Sequence, residues 1–220
     1  MTTAMTDVAN TKVLAIFLYP QMTTLDFVGP HEVLSRIPGI EVKKVAKVKG
    51  PVTADTGLQI IADYSIDEVE HADYLLIPGG TDTFTSMADE AVVEWVRRID
   101  ATTERTTSVC TGSLLLANAG LLNGRSATTH WATLDMLKEL GADPVQGRFV
   151  ESGKYMTAAG VSAGIDMGLA LSAQLVNEDF AQLMQLLIEY DPAPPFKSGS
   201  PETASPHILE MAKQAWSLPA

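Results

Sequence analysis

Apolar positions along the chain form short continuous runs, and these runs predict buried strands separated by helices. Most runs are rich in Val, Ile, Leu or aromatic residues and are bounded by Pro, Gly or polar residues. Continuous apolar runs are typical of strands that are buried on both faces of a parallel sheet. The predicted strands are Lys12–Tyr19, Ile40–Val48, Leu58–Ala62, Tyr74–Ile77, Thr106–Val109, Ser126–Thr129, Phe149–Glu151 and Tyr155–Ala158.

Between these runs, apolar residues recur at helical spacing. Thr23 or Thr24 is expected to cap the first helix, and Pro30 is expected to kink or restart it. Strands that alternate with helices predict an α/β fold with a mostly parallel sheet covered on both faces. The remaining predicted helices are Glu90–Ile99, Ser113–Ala119, Trp131–Leu140, Gly160–Val176, one from Asn177 or Asp179 to about Glu189, and Ile208–Trp216.

The pattern predicts one domain with irregular ends. Residues 1–11 are mostly polar and are expected to form a flexible tail, whereas residues 12–190 hold most of the alternating elements. Asp191–Pro206 is rich in Pro, Gly and Ser and is not expected to form regular structure. We expect residues 191–220, including the last helix, to pack on the same domain, because no internal repeat or dividing linker is visible.

Composition narrows the class of function. The chain of 220 residues has a net charge of −12, which disfavours binding to nucleic acid or to anionic membranes. It has one cysteine, so an internal disulfide framework is excluded and a reducing compartment is favoured. No apolar run approaches the length of a membrane span, and no signal-peptide pattern is visible. These features predict a cytoplasmic protein with a small-molecule or protein partner.

The only cysteine, Cys110, follows a predicted strand and precedes a predicted helix. Gly112 allows a sharp turn between the two. A side chain at such a corner points toward the start of the helix, where unpaired N–H groups and the helix dipole favour negative charge. We therefore expect the Cys110 thiol to have a lowered pKa and to act as a nucleophile, in the geometry of a nucleophile elbow. The alternative is a small buried residue without chemical function.

Other candidate residues are predicted at the same edge of the sheet, where ligands bind in parallel sheets. Asp26 follows the first strand and is the carboxylate expected nearest to Cys110. The backbone N–H groups of Gly79, Gly80 and Thr111 are candidates to stabilise developing negative charge. The alternatives are that Asp26 only stabilises a helix N-terminus and that the two glycines only form a turn.

His130 is a candidate partner of Cys110, and the alternative is a structural histidine at the start of a helix. The other histidines, His31, His71 and His207, have no spacing that suggests a metal site, so no metal is expected. The sequence has no Gly-x-Gly-x-x-Gly and no P-loop pattern, so nucleotide binding is unsupported.

Three segments together resemble the DJ-1/PfpI superfamily, and the likeness covers about Lys12 to Glu189. Within the superfamily the chain is most similar to isocyanide hydratases, through Leu25–Leu34, Thr107–Leu116, Gly124–Trp131 and Asp191–Phe196. The elbow and the 124–131 segment also occur in amidase-like input domains of AraC-type regulators, so these two segments do not distinguish an isocyanide hydratase from a regulator domain. The three segments are the strand and turn ending in Pro78-Gly79-Gly80, the elbow Val109-Cys110-Thr111-Gly112-Ser113, and Ala127-Thr128-Thr129-His130-Trp131.

The resemblance implies a flavodoxin-like sandwich, a homodimer and a lyase that hydrates an isocyanide to an N-substituted formamide without a cofactor. It implies that Cys110 attacks the isocyanide carbon to give a thioimidate in an apolar pocket. Asp26 is then implied as the general acid and, once ionised, as the base that activates water. Many superfamily members have Glu at this position and His directly after the cysteine. Asp26 and Thr111 fit the hydratase branch, with Thr111 in the implied catalytic group, and leave the role of His130 open.

Two other functions stay open at this point. A ligand-sensing module without activity would have the same fold, although no helix-turn-helix segment is recognisable after Pro206. A redox or stress protein would use Cys110 as an oxidisable thiol. Turnover of isocyanides would separate the enzyme from the sensor, whereas thiol oxidation is compatible with catalysis.

Overall fold

The structure is a computed structural model, and it describes residues 11–217. The expected N-terminal tail therefore lies outside the described residues, apart from Thr11. The strands are β1 Lys12–Leu18, β2 Ile40–Ala46, β3 Gly50–Thr53, β4 Gln59–Ala62, β5 Tyr64–Ser65, β6 Tyr74–Ile77, β7 Arg105–Val109, β8 Ser126–Ala127, β9 Asp143–Pro144, β10 Phe149–Ser152 and β11 Tyr155–Ala158.

The helices follow most of the predicted segments. A single 3₁₀ turn, Trp131–Thr133, precedes the fifth α-helix. The α-helices are α1 Thr24–Leu34, α2 Thr83–Ala88, α3 Glu90–Asp100, α4 Gly112–Asn118, α5 Leu134–Glu139, α6 Ala163–Leu175, α7 Glu178–Leu187 and α8 Pro206–Ser217.

Within residues 11–217, the central sheet has seven strands in the order β10-β11-β7-β6-β1-β2-β5. All neighbours in it are parallel except β10 and β11, two predicted strands that form an antiparallel hairpin around Gly153. The predicted α/β fold with a mostly parallel, flavodoxin-like sheet is confirmed. Since β1, β6 and β7 are adjacent and parallel, the residues that follow them meet at one edge of the sheet.

Helices cover the sheet in two groups. Helix α6 contacts both α1 and α7, whereas α2, α3 and α5 gather around α4. Helices α1 and α6 approach closely through glycines: a Cβ on Gly164 would lie 2.9 Å from Pro30, and a Cβ on Gly29 would lie 3.1 Å from Ile165. This contact matters for the site because α1 carries Asp26 and α6 begins beside Cys110.

The core is built from the apolar runs that predicted the strands. In β1 the side chains from Leu14 to Leu18 are buried, and all four residues of β6 are buried. Trp95 of α3 is fully buried, and its Nε1 donates to the carbonyl oxygen of Val69 at 3.0 Å. This packing fixes β6 and β1, the two strands that lead into the candidate site.

Three local predictions about helices need correction. Helix α1 is not restarted at Pro30, because packing against α6 outweighs the lost backbone hydrogen bond, and the predicted kink at this residue stays a prediction. Residue Thr23 is the N-cap, but its side chain makes no capping hydrogen bond. The predicted helix 131–140 is divided into a 3₁₀ turn and α5. In addition, α2 was not predicted, because its sequence has no apolar periodicity.

The C-terminal segment lies against the domain. Residues 198–201 and α8 line a small surface cavity with Trp131, and Trp216 of α8 contacts His130. On these contacts we propose that the segment belongs to the same unit as residues 12–190. None of the helices in the part of the chain that the structure describes has the length and apolar character needed to cross a membrane.

Candidate active site

Cys110 stands at the sharp corner between β7 and α4. Its φ is 57°, which is uncommon for a residue other than glycine and stores strain in the backbone. The Cys110 N–H donates to the carbonyl oxygens of Ala158 and Ala159 at 3.1 and 3.0 Å. Its carbonyl oxygen accepts from the hydroxyls of Thr129 and Ser113 at 3.0 and 3.2 Å. The corner is therefore the predicted nucleophile elbow, held by hydrogen bonds on both sides.

Glycine is required directly after the elbow and in the facing turn. A Cβ on Gly112 would collide with the carbonyl oxygen of Ile77. A Cβ on Gly79 would lie 2.5 Å from the Thr111 nitrogen and 2.8 Å from Asp26 Oδ2. Both distances are shorter than van der Waals contact, so these glycines let three chain segments converge at the site.

Asp26 lies in the first turn of α1 and is completely buried. Its Oδ2 accepts a hydrogen bond from the Gly79 N–H at 2.9 Å. Its Oδ1 is buried without a hydrogen-bond partner among the described residues. A buried oxygen without a partner is costly for stability, and such groups often lie at functional sites. The carboxyl is therefore held by one oxygen and has the other free for a substrate or a proton.

Asp26 and Cys110 are electrostatically coupled. Burial raises the pKa of Asp26 from 3.8 to about 7, and the Gly79 N–H and Cys110 oppose the rise only in part. Burial also raises the pKa of the Cys110 thiol, and the negative charge of Asp26 raises it further. The two groups interact closely, as predicted from the sheet edge. At neutral pH the thiol keeps its proton, while the carboxyl exists in both states.

The predicted lowering of the thiol pKa is wrong. The N–H groups of Thr111 and Val161 face the sulfur and do lower its pKa, as a helix start should. However, Cys110 is only 3% exposed, and loss of water together with the neighbouring carboxylate outweighs these amides. A helix start lowers a thiol pKa in this way only where the corner is open to solvent, and here the 158–161 segment packs against Cys110.

The hydroxyl of Thr111 joins a buried network. It accepts from the Gly80 N–H at 2.9 Å and lies 2.8 Å from the Thr83 hydroxyl, which lies 2.9 Å from the Tyr19 hydroxyl. The amides of Gly79 and Gly80 are therefore already bonded within the protein, and the structure does not present them to a substrate. They hold the carboxyl and the Thr111 hydroxyl in place, and the amides that face the sulfur are those of Thr111 and Val161.

His130 is placed beside the site, in the role of a helix-capping residue. Its Nδ1 accepts from the Ala132 N–H at 3.3 Å, at the start of the 3₁₀ turn. Burial lowers the pKa of His130 to about 4, so the ring is neutral at physiological pH. Its ring contacts are aromatic, with Trp131 and Trp216. The geometry matches the alternative of a structural histidine and gives no ion pair with the thiol.

Val161 is a site residue that the sequence did not reveal. It has a φ of 38°, which is strained for a β-branched residue. This conformation directs its N–H toward the Cys110 sulfur. Nothing in the surrounding Gly-Val-Ser-Ala segment distinguishes such a strained turn from an ordinary helix start.

The raised pKa of Asp26 predicts a pH-dependent cost in stability. Between about pH 4 and 7 the folded protein holds a proton that the unfolded chain has lost, so rising pH favours unfolding throughout this window. The full cost above pH 7 is about 4 kcal/mol. We expect Asp26→Asn to raise the free energy of unfolding by roughly 2 kcal/mol at pH 7.5, because the new amide donors offset part of the gain.

Urea titrations of both proteins across this pH range measure the effect. The difference between variant and wild type should shrink as the pH falls toward 4, where the unfolded chain also keeps its proton. A difference that is the same at every pH would show that the carboxyl is not buried in the protonated form.

Comparison with known proteins found relatives that match most of the chain. The family model described as DJ-1/PfpI family matches residues 11–174. The chain is 44% identical over 201 residues to an isonitrile hydratase of Pseudomonas putida, an alignment that covers 91% of this chain and 88% of the relative. A solved THiJ/PfpI family protein of Pseudomonas syringae superposes with a TM-score of 0.91 at 38% identity, over 94% of this chain and 86% of the other.

A transcriptional regulator also matches part of the chain. The HTH-type regulator CdhR of Pseudomonas aeruginosa is 35% identical over 127 residues, which are 57% of this chain and 38% of the regulator. The shorter and weaker match shows that this domain type also occurs within larger regulatory proteins.

Proposed function

Because this chain belongs to the DJ-1/PfpI family, we propose that its buried Cys110–Asp26 pair hydrates isocyanides to N-substituted formamides. The observation that carries the proposal is the coupling of a nucleophile-elbow thiol to a carboxyl with a pKa of about 7. The isonitrile hydratase relative, which aligns with nearly the whole chain, supports this reaction.

The first step adds the thiol across the terminal carbon of R–N≡C. The Asp26 carboxylate takes the thiol proton as sulfur bonds to carbon, and the same carboxyl delivers a proton to that carbon. The product is the thioimidate R–N=CH–S–Cys110. A free thiolate need not accumulate, which suits a thiol whose pKa is raised. A carboxyl with a pKa near 7 can give and accept a proton with similar ease at neutral pH.

The second step consumes water. The Asp26 carboxylate takes a proton from water as the oxygen bonds to the thioimidate carbon, and the protonated carboxyl passes that proton to the nitrogen, which gives R–NH–CH(OH)–S–Cys110. The carboxylate then takes the hydroxyl proton and delivers it to sulfur as the carbon–sulfur bond breaks, which releases R–NH–CHO and returns the thiol. The Thr111 and Val161 amides stabilise negative charge on the sulfur as it leaves. The sum is addition of one water without oxidation or reduction, so the reaction requires no redox cofactor.

We also propose that the protein acts as a homodimer in the cytoplasm. Helix α1 exposes Leu25 and Val28, and the neighbouring β3–β4 hairpin exposes Leu58 and Ile61. The hairpin connection lies beside the start of α1, because Asp55 accepts the N–H that opens the helix at 3.1 Å. This apolar surface supports association with a second copy. A reducing compartment would keep the Cys110 thiol available for catalysis.

Formamide release from a panel of alkyl and aryl isocyanides tests the function. We expect turnover of at least one isocyanide at neutral pH, measured by chromatography of the formamide, with no added metal or cofactor. Binding of isocyanides without turnover across the panel would favour a sensing module of the regulator type. Light scattering of the same preparation measures the oligomeric state.

A further inference from the structure

Residues 127–131 form one of the three segments that resemble the DJ-1/PfpI family, yet the proposed reaction uses no side chain from this segment. His130 begins a 3₁₀ turn and is neutral at physiological pH, because burial lowers its pKa to about 4. The segment nevertheless contacts the nucleophile, since the Thr129 hydroxyl donates to the Cys110 carbonyl oxygen at 3.0 Å. Thr129 is fully buried, so water does not compete for this hydrogen bond.

The Cys110 carbonyl belongs to the same peptide group as the Thr111 N–H. A trans peptide group is planar, and its C=O and N–H point in opposite directions. In this group the oxygen faces Thr129, and the N–H faces the Cys110 sulfur. Rotation of the plane, with the neighbouring Cα atoms in place, would turn the N–H away from the sulfur. A hydrogen bond to the oxygen therefore fixes the direction of the N–H.

Two hydroxyls hold the Cys110 carbonyl oxygen, which has two lone pairs to offer. Ser113 of α4 donates to it at 3.2 Å, and this residue belongs to the same turn of the chain. Thr129 makes the shorter contact and is 19 residues away in sequence, so it joins the carbonyl to a separate segment of the fold. We therefore expect Thr129 to contribute more than Ser113 to the orientation of the peptide group.

A neighbouring threonine orients the Thr129 hydroxyl. The single hydroxyl proton of Thr129 is used at the Cys110 carbonyl, because a carbonyl oxygen can only accept. The Thr133 hydroxyl lies 3.1 Å from the Thr129 hydroxyl and is left as the donor in that contact. Thr133 ends the 3₁₀ turn that His130 begins. The structural role of His130 thus includes placing Thr133 against Thr129.

We propose that Thr129 is a positioning residue, whose hydroxyl holds the peptide group after Cys110 so that the Thr111 N–H stays on the sulfur. The N–H is needed when negative charge develops on the sulfur, as the thiol proton leaves and again as the carbon–sulfur bond breaks. It contributes little to binding of the isocyanide, because the sulfur is then protonated and neutral. The assignment rests on the proposed hydratase activity, since both steps belong to that reaction.

The first test measures the reactivity of Cys110 and needs no isocyanide. Because the chain has a single cysteine, alkylation by iodoacetamide at a fixed pH reports on that thiol alone. We expect Thr129→Val to be alkylated about threefold more slowly than wild type, because a misdirected N–H raises the thiol pKa and lowers the fraction of thiolate. General loosening of the fold would have the opposite effect, since greater exposure to water lowers the pKa of a buried thiol.

Thr107→Val is the matched control. Thr107 is also fully buried, and its hydroxyl also donates to a backbone carbonyl oxygen, that of Leu75, at 2.9 Å. Both substitutions replace a hydroxyl by a methyl group, so they should lower the free energy of unfolding by similar amounts in urea titrations. Thr107→Val should keep the alkylation rate and the kinetic constants of wild type.

The second test separates kcat from KM, with the isocyanide that wild type hydrates fastest. For Thr129→Val we expect kcat to fall about tenfold. This is less than the loss of roughly 10²–10³ that follows removal of a donor itself, because Ser113 still holds the carbonyl. KM should change by less than about twofold, since the contact acts on charge that develops only during the reaction. Thr129→Ser keeps the hydroxyl and should restore both kcat and the alkylation rate.

Each result decides the proposal. Slower alkylation together with a loss confined to kcat, both restored in Thr129→Ser, supports the positioning role. Alkylation of Thr129→Val at the rate of Thr107→Val or faster overturns it, and so does a change in KM as large as the change in kcat. If wild type releases no formamide from any isocyanide, the hydratase assignment fails, while the alkylation rates still decide whether Thr129 directs the N–H onto the sulfur.

Discussion

Formamide release should fall by a factor on the order of 10⁵ when Cys110 is replaced by alanine, because no other nucleophile can form the thioimidate. Cys110→Ser should be almost as inactive, since a buried hydroxyl is a far weaker nucleophile than sulfur and Asp26 is too weak a base to ionise it. Both variants should stay folded, as the loss of one sulfur from a buried site costs about 1 kcal/mol. Initial rates on an isocyanide that wild type turns over measure the effect.

Ser108→Ala is the matched control for this change. It lies two residues earlier in β7, and its buried hydroxyl has no hydrogen-bond partner among the described residues. The substitution removes one atom, as Cys110→Ala does, and leaves the thiol in place. We expect wild-type activity from Ser108→Ala. Full turnover by Cys110→Ala would end the covalent mechanism, whatever the control shows.

Asp26→Asn should lower kcat/KM by about 10³-fold, within the range usual for loss of a general acid–base group. The amide oxygen can still accept from the Gly79 N–H, so the position of the side chain is kept while proton transfer is lost. In wild type, kcat/KM should rise with pH through an inflection near pH 7, where the Asp26 carboxyl becomes the carboxylate that takes the thiol proton. The variant should lack this inflection. Rates measured from pH 5 to 9 test both expectations.

Asp55→Asn is the control for removing negative charge near α1. Asp55 is exposed and raises the pKa of Asp26 through its charge. Its loss should leave kcat/KM close to wild type and move the inflection slightly to lower pH. An Asp26→Asn variant with nearly full activity and an unchanged pH profile would assign proton transfer to another group.

The sequence predicted the architecture well because the architecture depends on the apolar runs. The run Tyr74–Ile77, for example, can only be buried in the middle of a sheet, and it lies there as β6. The position of Cys110 at an elbow followed from local chemistry, namely β-branched residues before it and a glycine after it. Placing Asp26 near the thiol required only that β1 and β7 end at the same edge of a parallel sheet.

The finer properties of the site depend on tertiary contacts that no local pattern encodes. The pKa of the Cys110 thiol is set by enclosure within the fold, and the helix start alone predicts the opposite direction. The amides of Gly79 and Gly80 were correctly placed in a turn, but their partners come from distant segments. The position of His130 became clear only with α8, which is distant in sequence.

The close packing of α1 on α6 has a consequence for how the protein loses activity at high temperature. Gly164 stands against Pro30 in this contact, and the Gly164 N–H donates to the Val161 carbonyl at 3.3 Å. Asp26 thus lies on α1, and the strained Val161 amide lies in the turn that leads into α6, so both groups that interact with the sulfur depend on this pair of helices. Local loosening of either helix would require the pair to separate. Heat inactivation should therefore coincide with melting of the whole domain, without an earlier stage in which a folded protein has lost its activity.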